Sequence, residues 1–341
     1  MEENCASEIQ ARLERLHEFN KKALVFISSD LYPRGEFMPL EEVRLSIWDL
    51  GFRHGFAVYD AGRTIRGKPW QLKEHMNRFF RSCRFCRLNL GKSPEEMERI
   101  VVEACSRNQS LVKENDGEDQ SFGMEATPGE YGTYGLPLPA PGGKGKPTII
   151  IRTGLLDMKV IARSYKTGIS LVTPSTRHVP PMVIDPKIKT HSRHFQAFGL
   201  YEAQLVDSEA QPLFLDIFGN LTETHIANVF LVYDGVLMTP TTRNILEGLS
   251  RSNVINLARQ LGISLIERDL QPYHLCNADE AFISGSSRFI TSVGKYNGIH
   301  IGRQVPGPIT KKLLEAFSKL THYDITGISF LSPEEKAELD V

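Results

Sequence analysis

The sequence predicts a mixed α/β (α+β) protein of two domains, and three features carry that expectation. The chain has 341 residues, enough to bury a sizeable core in each of two domains. It is 41% apolar and 24% charged, the ordinary composition of a globular enzyme. Nineteen prolines and 27 glycines imply frequent turns, and short β-branched runs alternate with segments of helical period.

Ile9, Leu13, Leu16 and Phe19 recur at helical spacing among charges, so residues 8–22 read as an amphipathic helix. Ala23–Ile27 reads as a strand, Gly35 to Pro39 as a turn entering the next one, and Val43–Ile47 and Ala57–Ile65 as further strands. Gly67-Lys68-Pro69 marks a turn. Leu72 to Leu88 places Leu72, Met76, Phe79, Cys83 and Cys86 on one helical face opposite a basic one, and Pro94 to Cys105 is a second helix. Residues 106–120 and 130–146 read as loops around one strand, Ser121–Thr127. Thr148–Thr153 is strongly β-branched and closes the first half.

In the second half, Gly168–Thr173 and Leu213–Asp216 read as strands flanking a helix from about His194 to Ser208. Asn228–Tyr233 and Val236–Met238 flank Asp234-Gly235, the strongest hairpin signal in the chain. Ser250 to Leu261 reads as a helix capped by Ser250 and ended at Gly262. Glu280–Ser284 and Phe289–Val293 are strands, and Ile309–Leu320 is a closing helix. The expected divisions are a helical extension (1–25), a smaller α/β domain (26–153), a larger one (154–325) and a tail (326–341).

The net charge of -1 argues against a nucleic-acid partner or an anionic membrane surface. No apolar run reaches the 18 or so residues of a spanning helix, and the polar start lacks a secretory core, so a cytoplasmic protein is expected. Five cysteines fit reduced thiols. Cys83-x-x-Cys86 lacks a second Cys/His pair at zinc spacing, so two packed helix thiols are expected there and no metal site.

Several residues have chemical potential, each beside a plainer alternative. Gly248 lets the backbone turn closely before a helix whose first amides and positive dipole end suit a phosphate. Most N-cap serines only cap, however, and the same holds for the hydroxyl-rich turn Gly285-Ser286-Ser287. Lys189 follows Ile188, and desolvation there would favour its use as a nucleophile, against the commoner surface lysine. Glu223 lies between a turn and a strand and is equally readable as a surface carboxylate.

A longer series of motifs runs in order along the chain. The first half carries Gly35-Glu36-Phe37, Asp49-Leu50-Gly51-Phe52, Val58-Tyr59-Asp60, Glu74-His75-x-x-Arg78 and Thr127-Pro128-Gly129. The second carries Pro180-Pro181, Asp185-Pro186-x-Ile188-Lys189, Glu202-Ala203, Leu221-Thr222-Glu223-Thr224 and Asn228-Val229-Phe230. Leu246-x-Gly248-Leu249-Ser250-Arg251, Ala278-Asp279-Glu280-Ala281-Phe282 with Ser284-Gly285-Ser286, and Gly307-Pro308-x-Thr310 follow. Over roughly residues 25 to 325 this series resembles the class IV (fold-type IV) aminotransferases, which include branched-chain, D-amino-acid and (R)-amine transaminases and aminodeoxychorismate lyase.

The resemblance implies an N-terminal α/β sandwich, a C-terminal pseudo-barrel α/β domain, pyridoxal 5'-phosphate as cofactor, and a homodimer. It assigns Lys189 as the Schiff-base lysine, with Lys187 out of register, and Glu223 as partner of the pyridine nitrogen. Arg78, the Leu249 and Ser250 amides and the Ser286 hydroxyl would hold the phosphate. Tyr59 would line the substrate side, and Arg193 either binds a substrate carboxylate or faces solvent. The implied activity is ping-pong transfer from a small-molecule amino donor, best a branched-chain amino acid, to a 2-oxo acid acceptor. The alternatives are an (R)-amine or D-amino-acid transaminase, and a lyase of the aminodeoxychorismate type. Glu130-Tyr131-Gly132-Thr133-Tyr134 lacks the Arg-x-His pair of D-amino-acid enzymes, and Thr224-His225-Ile226-Ala227 replaces a commoner run of small residues.

Overall fold

The computed structural model describes residues 2–115, 117–130 and 146–339. The chain divides into two compact units, Met1–Leu156 with Ile188–Ser192, and Asp157–Lys187 with Arg193–Val341. The five residues around Lys189 therefore belong to the first unit although their chain neighbours belong to the second.

The first unit contains helix α1 (Glu2–Lys22), strands β1 (Leu24–Ser28) and β2 (Glu36–Pro39), the short helix α2 (Leu50–His54), and strands β3 (Val58–Ile65) and β4 (Lys68–Pro69). Helices α3 (Leu72–Phe85) and α4 (Pro94–Glu114) and strands β5 (Gln120–Thr127) and β6 (Thr148–Leu155) complete it. Its strands form one antiparallel sheet in the order β2-β1-β6-β5-β3-β4. Met76, Phe79 and Cys83 of α3 and Met97, Val101 and Cys105 of α4 pack on Phe122, Met124, Ile149 and Ile151 of that sheet. Local chemistry sets the helix ends. Ser93 and Glu96 form a capping box before Pro94 at the first position of α4. Asp49 caps α2 by accepting the Gly51 N–H, and left-handed Gly55 (φ 63°) ends it.

The second unit runs through α5 (Met158–Thr167), β7 (Ile169–Val172), α6 (His194–Val206), β8 (Gln211–Leu215), β9 (Leu221–Thr224), β10 (Asn228–Tyr233) and β11 (Val236–Thr239). There follow α7 (Leu249–Gln260), β12 (Leu265–Glu267), α8 (Pro272–Cys276), β13 (Glu280–Gly285), β14 (Phe289–Tyr296), β15 (Ile299–His300), α9 (Pro308–Thr321) and α10 (Pro333–Leu339). The sheet order is β12-β11-β10-β13-β14-β7-β8-β9, and β9 also pairs with β10. Six strands thus close on themselves, β10-β13-β14-β7-β8-β9 and back to β10, which makes the second unit a pseudo-barrel. The closing pair is Asn228 opposite Glu223. Leu171, Leu213, Leu221, Val229, Leu231, Ile283 and Val293 belong to one buried cluster within it.

Four expectations need correction or lie out of reach. Val43–Ile47 is not a strand: the Val43 N–H closes a 3-10 turn onto the Leu40 carbonyl, and Leu45 and Ile47 are exposed. The loop expected at 106–120 is helix as far as Glu114. The apolar rhythm of α4 breaks at Asn108, which turns inward and bonds both the N–H and the carbonyl of Leu24. The cap of α7 is Gly248, so Ser250 stands in the first turn and caps nothing. Of the loop expected at 130–146, residues 131–145 lie outside the described residues.

Candidate active site

In the first unit, Lys189 is fixed by backbone pairing. Its carbonyl accepts the Tyr59 N–H at 2.8 Å, Val58 and Thr190 form an isolated bridge, and the His191 N–H reaches the Ala57 carbonyl at 2.9 Å. Residues 188–192 so extend the sheet beside the start of β3. The Lys189 N–H donates to Ser82 Oγ at 3.3 Å, and Ser82 Oγ donates to the Arg78 carbonyl one turn earlier on α3. Ile188 packs against the core of the unit. The ammonium of Lys189 lies 4.5 Å from the centre of the Tyr59 ring, whose face carries the positive charge. That ring stacks on His191 at 4.3 Å. Three residues remote in sequence, Tyr59, Arg78 and Lys189, are thus joined within this unit.

Arg78 is buried and its guanidinium is gripped from one side. Nε donates to Asp60 Oδ2 at 2.7 Å and Nη2 to Oδ1 at 2.8 Å, a two-point fork. His75 Nδ1 lies 2.7 Å from the same Oδ1. Burial alone would raise the pKa of Asp60, but Arg78 first and then His75 outweigh it and hold the carboxyl far below the usual range. The Glu74-His75-x-x-Arg78 spacing sets His75 and Arg78 one turn apart on α3, where both meet Asp60 of β3. Gly62 leaves room for His75, since a Cβ there would sit 2.9 Å from its Nε2.

In the second unit, Glu223 is buried at the pair that closes the pseudo-barrel. Oε2 accepts from Asn228 Nδ2 at 2.9 Å, and the Leu246 N–H is shared between Oε1 (3.1 Å) and Oε2 (3.2 Å). His178 Nε2 lies 3.4 Å from Oε1 and is the only ion-pair partner of this carboxylate among the described residues. Asn228 Nδ2 also donates to the Leu246 carbonyl, so a single amide ties β10, Glu223 and the approach to α7. Gly248 is required there: a Cβ would stand 2.1 Å from Asn228 Oδ1.

The start of α7 has no side-chain cap, and the Leu249 and Ser250 amides meet no acceptor among the described residues. Ser286 follows β13 in the turn after Gly285, whose Cβ position faces the Ile226 carbonyl at 3.2 Å. Arg193 is half-buried and engaged by neighbouring groups. Its guanidinium donates to the His225 carbonyl and to Gln196 Oε1. Lys187 is engaged by Asp185 at 3.4 Å. The His225 imidazole is held neutral, its pKa lowered to about 4 by burial and then by Arg193, and its Nδ1 meets no partner among the described residues.

A family model described as amino-transferase class IV matches residues 57–296, more than half of the chain. The chain belongs to the class IV aminotransferases. It is a transaminase, an enzyme that uses pyridoxal phosphate and works on an amino donor and a 2-oxo acid. A protein of Methanocaldococcus jannaschii, provisionally named a branched-chain-amino-acid aminotransferase, is 30% identical over 291 residues, 85% of this chain and 96% of its own. The branched-chain-amino-acid aminotransferase of Escherichia coli K12 is 28% identical over 295 residues, 83% and 90% of the two chains. Among solved structures, the T.th. branched-chain amino acid aminotransferase with pyridoxamine 5'-phosphate superposes with a TM-score of 0.75 at 25% identity, covering 93% of this chain and 97% of the other. That of Thermoproteus uzoniensis with norvaline gives 0.73 at 25%, covering 91% and 99%.

The residues of this class IV aminotransferase fit the cofactor piece by piece. Two free amides at a helix N-terminus suit a phosphate, and a buried carboxylate suits a protonated ring nitrogen. Sequence reasoning missed four contributors to the site. Asp60, His75 and Asn228 stand inside the quoted motifs, so proximity to Arg78 and Glu223 was the available signal. His178 lies 45 residues before Glu223 (223 minus 178) in an irregular stretch and carries no such signal.

Proposed function

We propose that this enzyme transfers the amino group of a branched-chain amino acid to a 2-oxo acid, with pyridoxal 5'-phosphate attached to Lys189. The observation that carries the site assignment is Glu223, a buried carboxylate met by two neutral donors and one imidazole. A buried carboxylate in such a setting suits the protonated nitrogen of a pyridine ring. The named activities of the Methanocaldococcus jannaschii and Escherichia coli relatives support the branched-chain donor.

When bound, the cofactor supplies an electron sink for the donor's α-carbon. Lys189 Nζ would hold the cofactor through its aldehyde carbon, and its freed amine would be the base that moves the donor's α-proton. Glu223 would accept the ring N–H. The Leu249 and Ser250 amides, the Ser286 hydroxyl and Arg78 would bind the phosphate, with Asp60 fixing the plane of the Arg78 fork. Tyr59, paired with Lys189 through its own N–H, lines the substrate side. Arg193 acts through the 224–227 turn, whose His225 carbonyl it binds.

The test is a donor panel with 2-oxoglutarate as acceptor. Leucine, isoleucine and valine are expected to yield their oxo acids. Turnover of (R)-amines or D-amino acids alone would replace the donor assignment, and pyruvate from aminodeoxychorismate without acceptor would mark a lyase. Lys189→Ala is expected to lose transamination and to leave no borohydride-trappable cofactor on the chain. Trapping at another lysine would overturn the assignment.

We also propose a cytoplasmic homodimer. No helix among the described residues is long and apolar enough to cross a membrane. Helix α6 exposes Phe198, Tyr201, Leu205 and Val206, a stripe at helical spacing that a second copy would cover.

A further inference from the structure

His178 stands in the irregular stretch between β7 and α6, tied by its N–H to the Leu215 carbonyl at 2.9 Å. Its ring is 4% exposed and is held edge-on by Phe195 (5.1 Å, 73°) and Phe214 (6.1 Å, 74°). Those two rings also contact each other at 5.4 Å, so the imidazole has one orientation.

Both ring nitrogens face oxygen acceptors. Nδ1 lies 3.1 Å from the Val179 carbonyl, which has no proton to give, and Nε2 lies 3.4 Å from Glu223 Oε1. A neutral imidazole has a single N–H and would set a lone pair against one of the two acceptors. The imidazolium sets a lone pair against neither. It also supplies a positive charge that the other donors to this carboxylate, Asn228 and the Leu246 N–H, do not. The groups packed on the imidazole from α6 and β8 are phenyl rings, and Glu223 is its ion-pair partner among the described residues.

We propose that His178 is a positioning residue for the ring-nitrogen site: as an imidazolium it keeps Glu223 ionised, so the proton shared between that carboxylate and the cofactor's pyridine nitrogen stays on the nitrogen. This rests on the reading that Glu223 pairs with that nitrogen. A carboxylate and a pyridine sharing one proton form either an ion pair or two neutral groups. A cation touching the carboxylate is nearer to it than to the pyridinium beyond, so the attraction exceeds the repulsion and the ion pair wins. The protonated ring is the stronger electron sink, so His178 acts on catalysis without touching substrate.

The experiment uses holoenzyme carrying pyridoxal phosphate labelled with nitrogen-15 in the ring, read by NMR at pH 7.5. Wild type is expected at the pyridinium position. His178→Phe, which keeps the aromatic packing, and His178→Gln, which keeps a neutral donor, are both expected to move to the pyridine position, with kcat down about tenfold and KM little changed. A pyridinium retained in both variants overturns the proposal. Loss in the Phe variant alone also overturns it, since hydrogen bonding rather than charge would then be responsible. Should the Phe variant not fold, the Gln variant decides alone. Glu223→Gln separates the two layers: a pyridinium retained there, or absent from wild type, sinks the pairing of Glu223 with the ring nitrogen itself.

Discussion

At the scale of single residues, Asp60 determines what Arg78 has to offer. A buried guanidinium is tolerable here because both Asp60 oxygens meet it. Removing one member of such a pair leaves the other charged and uncompensated, which typically costs about 3–5 kcal/mol. Asp60→Asn is therefore expected to lower urea stability by that order and to weaken cofactor binding. Because the folded carboxyl is held below its unfolded value, this contribution is present above the unfolded value and is lost in acid. His225 has its own window. Its folded value of about 4 lies below the ordinary 6.5, so the unfolded chain binds the extra proton between those limits. Stability is expected to fall by up to about 3 kcal/mol as pH drops from 6.5 to 4. His225→Gln should flatten that part of a stability-pH curve; an unchanged slope would show that His225 is not the group titrating. Arg78 and Glu223 were legible as candidates in the sequence because each sits in a spaced motif. The partners that set their charge were not, since Asp60 meets Arg78 and His178 meets Glu223 only after strands and helices have packed.

Elements were legible where their own pattern was unbroken. The Asp234-Gly235 hairpin and α3 follow the expected spacing. Helix α4 runs on beyond its apolar rhythm because Asn108 replaces a hydrophobe on the buried face and satisfies Leu24 instead. No local rule announces an inward-facing amide. Helix α7 shows the related case, in which its start is set by the space Asn228 demands. Gly248→Ala would drive a methyl into Asn228 Oδ1, which must move and take Glu223 with it. The cofactor dissociation constant of that variant is expected to rise roughly tenfold, about 1.4 kcal/mol. Titration of apo-protein with pyridoxal phosphate measures this, and an unchanged constant would show that the amide relaxes freely.

For the molecule as a whole, each unit has its own core and its own share of the residues proposed to hold the cofactor. The two-unit plan was legible from chain length and motif order. Excursion of residues 188–192 into the first unit was not, because it depends on pairing with β3 across more than 120 positions. The proposed dimer bears on solution behaviour: Leu205, 89% exposed, lies in the α6 stripe. Leu205→Asp together with Tyr201→Asp is expected to shift the mass seen by light scattering from dimer to monomer. A dimer that persists would place the interface elsewhere. The pairing of Asn228 with Glu223 has one more consequence. The seam that makes a cylinder of the second unit also holds the carboxylate proposed to meet the cofactor's ring nitrogen. Mutational drift at either position is read twice, once by folding and once by chemistry, so a lineage changing its choice of amino donor is steered to vary other loops and to leave this seam alone.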